Sequence, residues 1–468
     1  MLIDKYENYG IEPDQVKALY TLSKVVGKKI PLLDERGLPA FGFKLKNNDV
    51  SGLLLYRCGL TKFPDVIFEF KELKELYLSY NLLNSIPNSI ENLHLLKYLN
   101  LKWNFLTTLP ASIGNLDSLQ KFKLDSNKIT NLPDTFGNLH ALEILKLRDN
   151  QLKDLPESFK NLKSLKKLYL NKNLLVDLPE FFTVLKNLIV LNLENNNIKK
   201  FPISMEDLKS LTTLSLSNNN LKSLTEQLLR PISNIRSIRT LDFSHNQLKE
   251  LPEFIGNFTN LEILRLRGNK IDALPDSFGN LKSLVSLDLS KNKFKRFPEQ
   301  ITKLSNLKRL FFEENDLNKL PDSLSDLLSL KKLFLEGNQL EYLPKSFGNL
   351  KSLQRVYLVN NKLKELPESI GKLKSLKTLD LRNNSLKILP QSLYDLETLQ
   401  ELDLRNNKFD SIPGSIWKLK GIKKYFLKLD GNPLDVKSRN VIAGGLKKIQ
   451  KFSRERDELK ELLTNKDK

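Results

Sequence analysis

The 468-residue chain carries 75 Lys and Arg against 55 Asp and Glu, a formal charge of +20. Hydrophobic residues make up 40% and roughly 100 positions are Leu, so a large core can form, while the single Cys excludes a disulfide framework and Cys-based zinc sites. No apolar run approaches the ~20 residues that cross a bilayer, and MLIDKYENYG has neither the basic nor the apolar region of a secretory signal, so a cytoplasmic protein is expected.

Residues 1–49 follow no repeat. DQVKALYTLSKVVGK has helical periodicity from Val16 to Val26, and FGFKLKN (41–47) alternates like a strand, which predicts an N-terminal cap made of a helix and a strand. From about Val50 a template takes over: L-x-x-L-x-L-x-x-N-x-L-x-x-L-P, as in LKYLNLKWNFLTTLP from Leu96. Its Asn, position 9, recurs every 23 residues from Asn81 to Asn219 and again from Asn246 to Asn407. Two steps differ, 27 before Asn246 and 25 before Asn432, and Cys58 fills the slot one period before Asn81. About 17 units extend to Leu434.

The L-x-L core of each unit predicts a short strand with two leucines inward. One such strand cannot stand alone, but stacked units pair in parallel and bury the leucines in one core. The Asn is expected to bond backbone groups left unpaired at the turn. The second half, as in ESFKNLKSL, predicts a 3₁₀ or short helical turn, ended in several units by Gly-Asn. The four extra residues near TEQLLRPISNIRS (225–237) predict a looped insertion or a hinge. Residues 435–468 read as a helical C-terminal cap and tail, with Val441, Ile442, Leu446, Ile449 and Phe452 on one stripe.

One template recurring in phase over about four-fifths of the chain resembles the leucine-rich-repeat superfamily. Its 23-residue form with Leu-Pro is similar to the intracellular Ras-group class, which includes Ras-suppressor and Scribble/Erbin-type scaffolds. The resemblance implies an α/β solenoid, a horseshoe with a parallel concave sheet, a 3₁₀ convex side and helical caps at both ends. It also implies a monomer without cofactor, and small GTPases or phosphatase-containing complexes as partner classes.

No catalytic signature accompanies the repeats. GKK at 27–29 lacks the glycines and the Ser/Thr of a phosphate loop, and neither HExxH nor GxSxG occurs. His94, His140 and His245 are far apart, and Cys58 sits inside the first repeat. A non-enzymatic scaffold is expected.

With the first Leu as position 1, positions 3, 5, 7 and 8 are expected to face the concave side, free of core duty. Early units place Tyr56, Tyr77, Tyr80, Tyr98 and Trp103 there, followed by Lys123, Lys146, Arg148 and Tyr169. Later come Arg265 and Arg267, then Phe311, Phe334 and Tyr357 with Glu313 and Glu336. Aromatics beside charges have the composition of protein-binding hot spots. The expected function is a protein-interaction scaffold gripping a partner on its concave face. The alternative is a polyanion or nucleic-acid binder using the basic residues, opposed by interspersed acids.

Overall fold

The computed structural model describes residues 6–33, 41–422 and 427–466. Residues 1–5 and 34–40 of the N-terminal segment and 467–468 of the tail lie outside the described residues. The chain forms two compact units, residues 1–221 with 225–238, and residues 222–224 with 239–468.

The first unit begins with α1 (Pro13–Val26). The helix starts three residues before its apolar periodicity because Pro13 fixes the first turn, and it ends at Gly27 with φ 75°. Val16, Leu19 and Leu22 are buried. The Gln15 amide donates to Asp49 Oδ1 at 2.7 Å and accepts from Val50 N–H at 2.8 Å, tying the helix to the first repeat. Strand β1 (Phe41–Lys46) pairs antiparallel with β2 (Asp49–Leu55). From β2 onward the strands, Glu75–Tyr77 to Thr213–Ser215, are three residues long and pair in parallel, each unit in register with the next.

The second unit repeats this arrangement from Thr240–Asp242 to Leu427–Lys428. It closes with α3 (Val436–Ala443) and α4 (Leu446–Lys466). Asp435 caps α3 by accepting from Ser438 N–H at 2.6 Å. Asp457 of α4 accepts from Ser415 Oγ at 2.7 Å and Trp417 Nε1 at 3.0 Å, and Arg456 donates to the Ile412 carbonyl. Val441 and Ile449 are buried, whereas Ile442, Leu446 and Phe452 remain partly exposed.

Each repeat turns at the Asn for a clear reason. Asn338 donates through Nδ2 to the carbonyls of Phe312 (2.9 Å) and Leu335 (3.0 Å), and its Oδ1 accepts from Leu317 N–H (3.1 Å). One side chain thus satisfies backbone groups of its own unit and of the preceding one. The same pattern recurs at Asn104 and Asn384. Cys58 cannot make these bonds, and its thiol turns to the Tyr56 carbonyl at 3.6 Å. Burial raises the Cys58 thiol above its ordinary range.

Opposite the strands, Leu-Pro leads into a five-residue 3₁₀ segment, such as Ala111–Asn115, whose third N–H returns to the proline carbonyl. The Gly before the closing Asn has a steric cause: a Cβ on Gly114 would run into the Thr135 carbonyl oxygen of the next unit. The insertion is neither a loop nor a bulge. It extends the 3₁₀ segment into α2 (Glu226–Ser233), with Leu228, Leu229 and Ile232 buried.

Candidate protein-binding surfaces

Parallel register turns each template position into a column. In the second unit, Phe311 pairs with Phe334 and Phe334 with Tyr357. Their rings stack with centroids 4.5 and 4.8 Å apart and planes 9° and 5° from parallel. Strand spacing, about 4.8 Å, dictates that separation. The rings cover one another's faces and leave their edges to solvent, all three remaining partly exposed.

Two charged rows flank this ladder. At position 3 of the same strands stand Arg309, Lys332 and Arg355. Among the described residues no carboxylate lies within ion-pair distance of any of them. At position 7 stand Glu313 and Glu336. Burial raises both carboxyls, Glu336 to about 7, with its neighbour Glu313 adding to the effect. Glu336 Oε2 is buried without a hydrogen-bond partner, whereas Glu313 accepts from Ser290 Oγ at 2.5 Å. Beyond the ladder, charges pair. Arg382 binds Asp380 at 2.7 Å and Arg405 binds Asp403 at 2.7 Å, while Arg265 approaches Asp242 at 3.8 Å and Arg267 approaches Glu314 at 3.9 Å.

The first unit uses the same columns differently. Tyr77 stacks on Tyr98 at 4.5 Å. Lys123 lies over the Tyr98 ring at 5.0 Å and Lys146 over the Tyr169 ring at 4.9 Å. Lys102, Lys121, Arg148 and Lys167 extend this basic field, and among the described residues none of these six cations forms an ion pair with a carboxylate. Asp125 lies among them, its carboxyl raised by burial and held down in part by the Arg148 N–H and the lysines.

Position 8 departs from the expected strand face. In every unit it is a left-handed turn residue, from Arg57 at φ 52° to Gly431 at φ 74°. The geometry follows from pairing: the position-8 N–H continues to the next unit, as Trp103 N–H to the Asp125 carbonyl at 2.8 Å. Most units fill it with Asn, Gly, Ser or Asp, which tolerate this conformation. Tyr80 and Trp103 do not belong to that set. They stack at 5.3 Å on the turn edge, with Arg57 over Tyr80 at 5.0 Å and over Tyr56 at 5.2 Å.

The residues expected on one face therefore separate. Phe311, Phe334, Tyr357, Glu313 and Glu336 come together, as do Tyr77, Tyr98, Lys123, Lys146, Arg148 and Tyr169. Tyr56, Tyr80 and Trp103 form a third group on the edge, and Arg265 and Arg267 engage carboxylates. Sequence reasoning missed Arg309, Lys332 and Arg355, although position 3 of three consecutive units carries the signal. It also missed Arg57, Leu82 and Phe105 beside the edge group. Among the described residues no group of three or more His, Cys, Asp or Glu could hold a metal ion, and no helix is long and apolar enough to cross a membrane.

In-phase units of strand, Asn turn and 3₁₀ segment, with surface columns left free for partners, define a binding solenoid. The sequence profile for a leucine-rich repeat region matches residues 51–168, 216–310 and 345–453, and two further leucine-rich-repeat profiles match 171–221 and 329–350. The chain belongs to the leucine-rich-repeat family. A solved leucine-rich-repeat protein of Leptospira interrogans is 32% identical, with a TM-score of 0.62 over 83% of this chain and 92% of that one. An internalin of Listeria monocytogenes is 26% identical (TM-score 0.54; 72% and 88% covered). The leucine-rich-repeat ectodomain of the Arabidopsis thaliana membrane receptor kinase GASSHO1/SCHENGEN3, solved with Casparian strip integrity factor 2, is 29% identical (TM-score 0.51; 84% and 57% covered). No match is found among curated proteins.

Proposed function

We propose that the chain is a non-enzymatic scaffold whose strand face grips a protein partner, anchored on the Phe311–Phe334–Tyr357 ladder. The observation that carries this reading is the stack itself, three partly exposed rings between a row of cations with no ion-pair partner among the described residues and a row of raised carboxyls. Exposed aromatic rings do nothing for a core already filled by Leu310, Leu333 and Val356. The charged rows on either side would orient the partner. Tyr77, Tyr98, Lys123, Lys146, Arg148 and Tyr169 form a second contact zone in this proposal. The plant leucine-rich-repeat ectodomain, solved in complex with its factor, supports the reading by analogy.

The finer reading places the scaffold in the cytoplasm as a monomer engaging a small GTPase or phosphatase complex. Its support is the 23-residue Leu-Pro template together with the single Cys.

The test is affinity purification from native lysate at moderate salt, followed by Phe334→Ala. The proposal expects a partner whose affinity falls by about 2 kcal/mol or more. Unchanged affinity and on-rate in the Phe311, Phe334 and Tyr357 triple Ala variant would place the site elsewhere. The basic field of the first unit favours a second reading, polyanion binding, which would collapse between about 50 and 200 mM salt.

A further inference from the structure

The edge group in the first unit carries an inference independent of the strand face. Every unit puts position 8 in the same left-handed turn: Asn195, Asn218, Asn360, Asn383 and Asn406 suit it, and the polar Lys172, His245, Lys291 and Glu314 also hold it. A bulky side chain is strained in that conformation. Tyr80 and Trp103 nevertheless hold adjacent turns, at φ 59° and 57°, and Trp103 is 48% exposed. For Trp103 the strain brings little burial in return, while Tyr80 is half-buried among its neighbours. Two units downstream the same position is Asp149, reached by the Ser126 hydroxyl at 2.9 Å, so the row of rings stops at Trp103.

The exposed rings do not stand alone. Position 10 of the same two units carries Leu82 and Phe105, 48% and 45% exposed, where Lys128, Gln151 and Asn197 stand in other units and Leu174 is the apolar parallel, without a ring at its position 8. Between the two columns lies a groove of about 460 Å³. Its rim is basic. Lys128 lies over Phe105 at 5.1 Å and Lys102 over Tyr80 at 5.7 Å. Arg57 lies over Tyr56 and Tyr80 and, among the described residues, has no carboxylate within ion-pair distance, so its N–H donors can meet one from a ligand. Asp149 is the single acid in the lining.

We propose that this groove binds a peptide segment of a protein partner in which an aromatic or Leu side chain stands beside Asp or Glu. The apolar side chain enters against Trp103, Phe105 and Leu82, and the acid meets Arg57 or Lys128. A sugar is disfavoured because Leu82 and Phe105 offer no hydrogen bonds to hydroxyls. A basic peptide is disfavoured by the rim.

The test pans a phage-displayed 12-residue peptide library on the full chain and measures one recovered synthetic peptide against variants. Trp103→Asn and Tyr80→Asn install the residue that other units use at this turn, and Phe105→Gln installs the residue of position 151. The expected peptides pair an aromatic or Leu with Asp or Glu, and their binding weakens at least tenfold in each variant and in Arg57→Gln. The melting temperature of Trp103→Asn stays level or rises, since its exposed ring leaves a strained turn. The proposal is overturned if the Trp103 ring proves structural, that is, if Trp103→Asn melts lower. It also fails if no peptide distinguishes the native chain from Trp103→Asn, if recovered peptides lack acids, if a glycan array binds instead, or if the native chain dimerises and Trp103→Asn abolishes the dimer.

Discussion

The two strand faces solve the same problem, displaying charge and rings on a flat ladder, in opposite ways. In the first unit cations rest on aromatic faces, Lys123 on Tyr98 and Lys146 on Tyr169, with no carboxylate paired to them among the described residues. In the second unit the rings rest on one another, and outside the ladder cations pair with acids, as Arg382 does with Asp380 and Arg405 with Asp403. A ring whose face is occupied by a ring presents its positive edge, whereas a ring capped by lysine presents charge. The same backbone column is therefore an apolar anchor in one unit and an electrostatic field in the other. The column sets the geometry, and the side chains assigned to it set the chemistry.

Breaking the shared scaffold should have the largest effect and should not distinguish the units. Asn104→Ala and Asn338→Ala each strand buried carbonyls and an N–H in the preceding unit. Each should cost about 3 kcal/mol or more of stability, read by chemical denaturation. A cost confined to one unit would mean that the two are not built alike.

The next effect belongs to the ladder. Phe334 is stacked on both sides, so Phe334→Ala should cost about 2 kcal/mol of stability beyond its effect on any partner. Position 5 is free of core duty, so this cost would come from the ring–ring contacts alone. They arise from register, which the sequence pattern carries, and from the matching of three rotamers, which it does not.

Protonation distinguishes the faces more finely. Burial lifts the Glu336 carboxyl to about 7, so the folded chain holds this proton more tightly than the unfolded chain does. Its contribution to stability is full below about pH 4.5 and is lost as pH rises through about 7. Glu336→Gln should flatten this part of the melting profile between pH 5 and 8 and raise the melting temperature at pH 8. An unchanged profile would show that the carboxylate is solvated. The smallest effect is expected for Lys146→Gln, about 0.5 kcal/mol at an exposed ring, with a larger slowing of association for an acidic partner.

The architecture was legible because Leu, Asn and Pro recur at fixed offsets, each with one physical task. The columns at positions 3, 5 and 7 followed from strand alternation. Position 8 did not, because a left-handed turn looks like a strand continuation when Tyr80 or Trp103 occupies it. The basic row Arg309, Lys332 and Arg355 did not follow either, because charge on a strand face is ordinary and only the parallel register aligns the three beside the rings. Nor did α2, because four extra residues can lengthen a turn or wind it into a helix. Leu82 and Phe105 escaped notice because position 10 sits next to the Asn, where turn residues draw no attention.

The Asn bonds have a genetic consequence. An Asn rung such as that of Asn338 or Asn361 is completed by main-chain atoms of its neighbour, which are the same whatever side chains that neighbour carries. Recombination that gained or lost one 23-residue segment would reconnect the rungs without a mismatch and move a finished surface column by one strand. Rings and charges can thus be shuffled as cassettes. The longer 27-residue and 25-residue steps are the two places where such an exchange would fall out of phase.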